Sequence, residues 1–335
     1  MKDSNIYYSV GPLLYYPANK SNIVTSLVKE KFGCFFSLAL CLEDTIGDEF
    51  VAQAEDQLLH TLTTLQKKQK QYSFYMPKLF IRVREPAQIP RLTANMGEER
   101  SLITGFILPK FSLENADAYL SEIQTLNEGR DSFYIMPILE SPAMVRLTDR
   151  YRLLYELKSK LDVMEQWVLN IRVGGNDLCN VFGLRRHAYE TIYDIRPVAD
   201  ILSDIVTVFG LDYVVSGPVW EYYNGSLWEA GLVNELTKDK LFGFVGKTVI
   251  HPKQISLVNQ SFMIEETDYQ DALKILGWDT DCANLVEGNQ AGERMNEYKT
   301  HFNWAQKTVC LAKTYGIKKG HQFKQSGIPL QAQIF

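Results

Sequence analysis

The sequence predicts an α/β protein in which roughly eight strand–helix units close into a (β/α)₈ barrel, with a helical extension at the C-terminus. Short, continuous apolar runs such as residues 133–139 are typical of strands buried on both faces, as in a parallel sheet. Several of these runs end in charged residues, and at the mouth of a strand such a residue would escape the cost of burying an unpaired charge. A polar, periodic segment typical of a surface helix follows most of the runs.

The expected elements follow from these runs and from the turn residues that end them. The predicted strands are residues 13–16, 34–42, 79–81, 105–108, 133–139, 167–173, 213–215 and 248–250. The predicted helices are residues 50–72, 144–160, 195–208 and 292–315, with further helices after Ser21 and after Ser112.

The barrel is expected over residues 1–260, and the helical extension over residues 261–335, where it would act as a lid or an oligomer contact. An open, doubly wound sheet is the alternative fold. It is less favoured, because neither GxGxxG nor GxxxxGK[ST] follows the first strand.

Composition excludes several classes of protein. The net charge of −5 gives no support to a nucleic-acid or anionic-membrane partner. Apolar stretches all fall short of the ~20 residues that span a bilayer, and the N-terminal segment lacks the features of a signal peptide. Five scattered cysteines without a CxxC pair indicate neither a zinc site nor a disulfide framework. A reduced, cytoplasmic protein is expected.

Charged side chains stand where the predicted strands end, and in a barrel these ends meet at the face that carries the reacting groups. Any one of them alone is more commonly a solvated charge or part of an ion pair, but together they would converge on one place. These candidates are Glu43, Asp44, Arg82, Lys110, Glu140, Asp177 and His251.

Glu140 and Asp177 are the candidate metal ligands. Mg²⁺ prefers oxygen ligands, keeps several waters and often takes one or two protein carboxylates. The alternative is that Asp177 caps the helix after Gly175. Arg82 would bind a substrate carboxylate or carbonyl oxygen, and an ion pair with Glu43 or Asp44 is a compatible alternative.

Gly174, Gly175 and Asn176 would let a ligand approach the backbone closely, and the helix that follows would offer free N–H groups to a carboxylate or phosphate. A plain tight turn is equally consistent with these residues. His251 would titrate near neutral pH, although a structural role is favoured for it.

These motifs resemble the citrate lyase β-subunit-like members of the HpcH/HpaI aldolase family. Residues 14–18 resemble the family's Leu-Phe-Val-Pro-Gly, and residues 41–44 its Asp-Leu-Glu-Asp, with Cys41 in place of the first Asp. Residues 81–84 resemble Val-Arg-Ile-Asn, and residues 174–178 resemble Gly-Ala-Glu-Asp-Leu with Asn176 in place of Glu. The most specific match is the segment 243–262, which includes Ile250-His251-Pro252.

The resemblance implies a TIM barrel in which the Glu140 and Asp177 equivalents hold Mg²⁺ and the Arg82 equivalent contacts the substrate. Glu43 and Asp44 are further catalytic candidates, and Lys110 and His251 are further candidates for binding substrate. Family members make or break a carbon–carbon bond beside a carbonyl, often in CoA thioesters of short carboxylic acids. A homo-oligomer, by analogy a trimer, is also expected.

The C-terminal part departs from the family pattern. Typical members carry Met-Ile/Val-Asp-Lys/Met-Pro there, with an Asp that reaches a neighbouring subunit's site, whereas residues 293–297 here are Glu-Arg-Met-Asn-Glu. Asn296 cannot act as a base, so Glu43, Asp44, Glu297 and a metal-bound water all stay open for that role. This resembles a divergent branch found beside tellurite-resistance-type stress genes. An enzyme for phosphorylated substrates and a barrel that binds without catalysis are the alternative functions.

Overall fold

A barrel of parallel strands forms the first of two units, Met1–Phe262 and Met263–Phe335. The computed structural model describes residue 2 and residues 4–33, 35–129 and 132–318. Residues 319–335 of the predicted C-terminal extension lie outside the described residues.

Eight strands form one sheet in the order β7-β6-β5-β4-β3-β2-β1-β8, and every named pair in it is parallel. A parallel bridge between Gly217 and Lys247 joins the two ends of this order, so the sheet closes. The predicted barrel is therefore confirmed. Its strands are β1 Pro12–Pro17, β2 Ser37–Cys41, β3 Lys78–Arg82, β4 Ile103–Leu108, β5 Tyr134–Leu139, β6 Ile171–Val173, β7 Val215–Ser216 and β8 Lys247–Val249.

Helices alternate with these strands along the first unit. The longest, α3, buries Ala54, Leu58, Leu62 and Leu65 at the three- and four-residue spacing of one helix face. The helices are α1 Asn5–Tyr8, α2 Ile23–Val28, α3 Val51–Gln71, α4 Gln88–Ala94, α5 Ala116–Asn127, α6 Leu147–Asp162, α7 Gly175–Val181, α8 Arg196–Phe209, α9 Trp228–Phe242 and α10 Lys253–Phe262.

The barrel is filled by inward-facing side chains from successive strands. Leu13, Ala39, Phe80 and Ile107 belong to one buried cluster, against which Tyr15 packs. Because side chains alternate between the two faces of a strand, the residue two positions further along also faces inward. The polar side chains near the strand ends therefore lie above this buried apolar cluster.

A buried ion network links α9 to β8. Lys247 Nζ lies 2.9 Å from Glu235 Oε1 and 2.8 Å from Asp239 Oδ2, and all three side chains are fully buried. Arg186 Nε lies 3.2 Å from the other oxygen of Glu235. The carboxylates replace apolar residues on the inner face of α9, which is why apolar periodicity does not predict this helix.

The second unit is built on two helices, α11 Glu266–Leu276 and α12 Tyr298–Tyr315, with Ala272, Ile275 and Ala305 in its core. The helix predicted over 292–315 begins only at Tyr298, because residues before it pair in a small sheet. Asn296, in that sheet, is 2% exposed. The short strands of this unit are β9 Ile264–Glu265, β10 Val286–Gly288, β11 Met295–Glu297 and β12 Ile317–Lys318.

None of the helices in the described part of the chain is long and apolar enough to cross a membrane.

Candidate active site

Arg82, the last residue of β3, lies at the centre of a group of carboxylates. Its Nη2 is 2.8 Å from Glu43 Oε2, 3.1 Å from Asp44 Oδ2 and 3.7 Å from Glu140 Oε1. Its Nη1 makes only a long contact, 4.0 Å to Cys41 Sγ, among the described residues. One edge of the guanidinium is therefore fixed by protein charges, and the other is left for an incoming oxygen.

Lys110 completes this group from the end of β4. Its backbone is in the left-handed region, with φ of 49°, and its N–H donates to Glu140 Oε1 at 2.8 Å. Its side-chain Nζ donates to Glu43 Oε1 at 2.7 Å and to Asp44 Oδ1 at 3.1 Å. The main chain thus orients Glu140, while the side chain holds the two acids that follow β2.

Glu140 and Asp177 lie together at the ends of β5 and β6, within hydrogen-bonding reach of one another. Burial raises the pKa of Glu140 to about 8 against the opposing effect of Arg82, and the neighbouring Asp177 charge adds to the rise. Asp177 also lies in the first turn of α7, which begins at Gly175. Asp177 can therefore lie in the first turn of α7 and beside Glu140 at the same time.

The balance of formal charge at this end of the barrel is negative. Four carboxylates lie among three cations, so negative charge is in excess when all of these groups are ionised. A divalent ion would offset this excess, and donors that are all oxygen suit a hard cation such as Mg²⁺. The carboxylates are Glu43, Asp44, Glu140 and Asp177, and the cations are Arg82, Lys110 and Arg172.

In the described part of the chain, no group of three or more His, Cys, Asp or Glu could hold a metal ion. A site built on Glu140 and Asp177 would therefore leave positions for water and substrate, as Mg²⁺ sites in enzymes commonly do.

The two glycines at the end of β6 are required by packing. A Cβ on Gly174 would lie 2.0 Å from Glu140 Oε2, and one on Gly175 would lie 2.4 Å from Ile192 Cδ1. Gly174 thus makes room for the Glu140 carboxylate itself, which is a more specific role than a tight turn.

A cavity of about 430 Å³ opens above these groups. A second cavity, of about 340 Å³, shares Asn176, Arg185 and Glu221 with it. Arg185 Nε and Glu221 Oε1 are 3.2 Å apart at this shared wall. The lining of the larger cavity includes Tyr15, Asp44, Thr45, Arg82, Ile138, Glu140, Val173, Gly174, Gly175, Asn176, Asp177, Arg185, Val219, Glu221, Thr248 and Ile250.

Three candidates from the sequence do not line this cavity. Glu43 and Lys110 lie behind Asp44 and Arg82 and hold them in place. His251 stacks on Tyr223 with ring centroids 4.8 Å apart, and its Nδ1 accepts from the Lys253 N–H. Burial and the nearby Lys253 charge lower the pKa of His251. A direct contact of these residues with substrate stays a prediction.

Sequence analysis missed other lining residues. Tyr15 and Thr248 lie in apolar strands, so the sequence alone does not distinguish them from core residues. Glu221 follows β7 after a Gly-Pro turn, so the same strand-end argument that identified Glu140 could have found it.

Several solved structures have a similar fold. A citrate lyase from Burkholderia xenovorans matches with a TM-score of 0.66 and 14% identity, covering 92% of this chain and 93% of that one. The CitE protein of Mycobacterium tuberculosis, in complex with magnesium, acetoacetate and coenzyme A, matches with a TM-score of 0.60 and 16% identity, covering 92% and 99%. The citrate lyase β subunit of M. tuberculosis, with oxaloacetate and magnesium, gives 0.52 and 16%, covering 77% and 99%.

A search of curated proteins found no match to this chain. The model of one protein family, described as C-C bond lyase of the TIM-barrel fold, matches residues 4–317, nearly the whole described chain. The barrel topology and the acids at the strand ends are consistent with this match. The chain belongs to the family of carbon–carbon bond lyases that have the TIM-barrel fold.

Proposed function

We propose that this lyase depends on Mg²⁺ and cleaves or forms a carbon–carbon bond, by aldol or Claisen chemistry, in a small oxo- or hydroxy-carboxylic acid or its CoA thioester. The observation that carries the proposal is the pairing of Glu140 with Asp177 in a site where carboxylates outnumber cations. The similar M. tuberculosis proteins contain magnesium with small oxo acids, which supports the choice of ion and of substrate class.

Glu140 and Asp177 would hold the ion. When bound, Mg²⁺ would act as a Lewis acid and stabilise the negative charge of the enolate that forms as the bond breaks. The orientation of Glu140 comes from the Lys110 N–H, so this carboxylate is positioned before any ligand arrives.

Arg82 is proposed to bind the substrate oxygen on which negative charge develops. Its Nη2 is held by Glu43 and Asp44, so the guanidinium needs little reorganisation during the reaction. Its Nη1 edge can then donate to the substrate, and a charge-assisted bond of this kind strengthens as the oxygen becomes an anion.

Glu43 and Asp44 are proposed to position Arg82. Burial would raise the pKa of Asp44, but hydrogen bonding with Glu43 and the charges of Arg82 and Lys110 lower it to about 2. An acid with so low a pKa stays ionised and accepts protons weakly, which suits a group that holds cations in place.

The test is to compare Glu140→Gln and Asp177→Asn with the wild type. Either change should weaken Mg²⁺ binding in isothermal titration by on the order of 100-fold and abolish turnover, because each removes a charged ligand. Circular dichroism should show an unchanged fold. Glu156→Gln, on the exposed face of α6, is the matched control and should bind Mg²⁺ like the wild type.

Turnover should be screened with short oxo and hydroxy acids, with their CoA thioesters and with phosphorylated acids. Lyase activity that persists after the metal has been removed by EDTA would disprove the dependence on Mg²⁺. Activity confined to the phosphorylated acids would disprove the proposed substrate class.

A further inference from the structure

Tyr15, on β1, projects into the barrel at the inner end of the larger cavity. Its ring packs against the buried cluster of the barrel interior and also lines the cavity. The guanidinium carbon of Arg82 lies 5.3 Å from the centre of this ring. The side chain is therefore fixed by packing below and by a cation at its side.

The hydroxyl of Tyr15 makes no hydrogen bond to any other described residue, although it lies among buried groups. Tyr16 differs, because its hydroxyl bonds to the Asn22 side chain away from the cavity. Tyrosine hydroxyls among packed groups usually have a hydrogen-bond partner, and Tyr15, which is only partly buried, is open to the cavity that it lines. The cavity is where that partner would be.

Two cations, Arg82 and Arg172, act on this hydroxyl more strongly than the one carboxylate that does so, Glu140. Arg172, on β6, is 1% exposed and donates to Thr248 Oγ1 at 2.6 Å, and Thr248 lines the same cavity. Burial raises the pKa of Tyr15 by more than the charges of Arg82 and Arg172 lower it, so the hydroxyl keeps its proton. A protonated donor near two cations favours an anionic acceptor.

The cavity therefore has two ends of different chemistry. Glu140 and Asp177 present negative charge, to which a metal would bring the oxo-carboxylate end of a substrate. Tyr15 presents a hydrogen-bond donor on which Arg82 and Arg172 act more strongly than Glu140 does. A substrate with one carboxylate can bind at only one end of the cavity, whereas a substrate with two carboxylates can bind at both ends.

We propose that the Tyr15 hydroxyl binds a second carboxylate of the substrate, and so selects oxo acids that carry a carboxylate at each end. This inference rests on the proposed function, because it assigns the oxo-carboxylate end to the Glu140–Asp177 site. Tyr15 is thereby a specificity-determining residue that contacts the part of the substrate opposite the metal.

The test measures, by isothermal titration with saturating Mg²⁺, the binding of pyruvate, oxaloacetate and 2-oxoglutarate. The wild type should bind at least one of the two dicarboxylates about tenfold or more tighter than pyruvate, as one hydrogen bond to a charged group allows. Tyr15→Phe removes one oxygen and keeps the packed ring, and it should reduce this preference to about twofold or less. Its affinity for pyruvate should stay that of the wild type.

Tyr16→Phe is the matched control, since it removes the same atom on the neighbouring residue of the same strand. It should keep the wild-type preference. A wild type without the preference would overturn the proposal, and so would a preference that survives in Tyr15→Phe.

Mg²⁺ titration separates this inference from the proposed function. Mg²⁺ binding that is lost in Glu140→Gln, together with an unchanged preference in Tyr15→Phe, would overturn only the role of Tyr15. A wild type that binds no Mg²⁺ would overturn both.

Discussion

Gly174 illustrates how one missing side chain defines the site. Any Cβ there would occupy the space of the Glu140 carboxylate, with 2.0 Å to Oε2 and 2.3 Å to the Glu140 Cβ. The contacts are too short to be relieved by rotation of the glutamate alone, since its Cβ is fixed to the strand. A substitution at 174 must therefore move either β5 or the turn before α7.

Gly174→Ala should lower the free energy of unfolding by about 1–3 kcal/mol, as overpacking does, and should weaken Mg²⁺ binding because Glu140 is displaced. Chemical denaturation and isothermal titration would measure the two effects. Gly288→Ala is the control, because a Cβ there meets nothing within 4 Å, and it should change neither quantity. Wild-type affinity for Mg²⁺ in Gly174→Ala would contradict the proposed role of Glu140.

Asp44 should make stability depend on pH. Its folded pKa of about 2 is below its ordinary 3.8, so the unfolded chain binds more protons between these values, and stability rises with pH there. The contribution is fully present above about pH 4 and is lost as the pH falls towards 2. Half of the side chain is exposed, so solvent screening keeps the effect modest.

Asp44→Asn should lower the melting temperature relative to the wild type at pH 6 in EDTA, and the difference should shrink below about pH 4. Differential scanning calorimetry over this range would measure it. A difference that grows on acidification would show that the carboxylate does not gain stability from Arg82 and Lys110.

At the scale of elements, α9 and β8 are joined by charge rather than by apolar packing. Glu235 and Asp239 are one turn apart on α9, and both reach Lys247. Pairing allows such groups to be buried, but removing one partner leaves the other charges uncompensated. This arrangement fixes the rotation of α9 against the seam where β7 and β8 close the barrel.

Lys247→Ala should lower the free energy of unfolding by about 3–5 kcal/mol, because it leaves the buried Asp239 without a cation and Glu235 with Arg186 alone. Lys238→Ala removes a partly exposed lysine of α9 that pairs with Asp194, and it should cost about 1 kcal/mol or less. Urea denaturation of the two variants would measure the difference. Equal effects would mean that the buried network contributes no more than a surface ion pair.

At the scale of the whole molecule, the barrel is complete within the first unit. The eight strands of the barrel sheet and helices α1 to α10 lie before Met263, as do the residues of the candidate site. The unit has its own core, which is the condition for a domain to fold alone.

A chain of residues 1–262 should therefore fold, with a helical circular dichroism spectrum and a cooperative thermal transition. It should also bind Mg²⁺ with the affinity of the full chain, since Glu140 and Asp177 remain. A broad transition without cooperativity would show that the barrel needs residues after Phe262.

The fold was largely predictable because most strands are apolar runs that end at turns. Apolar periodicity did not predict α9, because this helix carries buried carboxylates on its inner face. Strands β6 and β7 are shorter than the predicted 167–173 and 213–215. The acids at the strand ends were found because charge stands out in an apolar segment. Tyr15 could not be found, because only closure of the barrel shows that its hydroxyl faces a cavity.

The bond from the Lys110 N–H to Glu140 has an evolutionary consequence. Main-chain N–H groups are common to every residue but proline, so this contact can survive substitution of Lys110 by a residue that tolerates its left-handed φ of 49°, such as glycine, asparagine or aspartate. Such a substitution would release Glu43 and Asp44 from the ammonium and leave Glu140 oriented. Descendants of this barrel can therefore alter the two acids after β2 independently of the glutamate after β5.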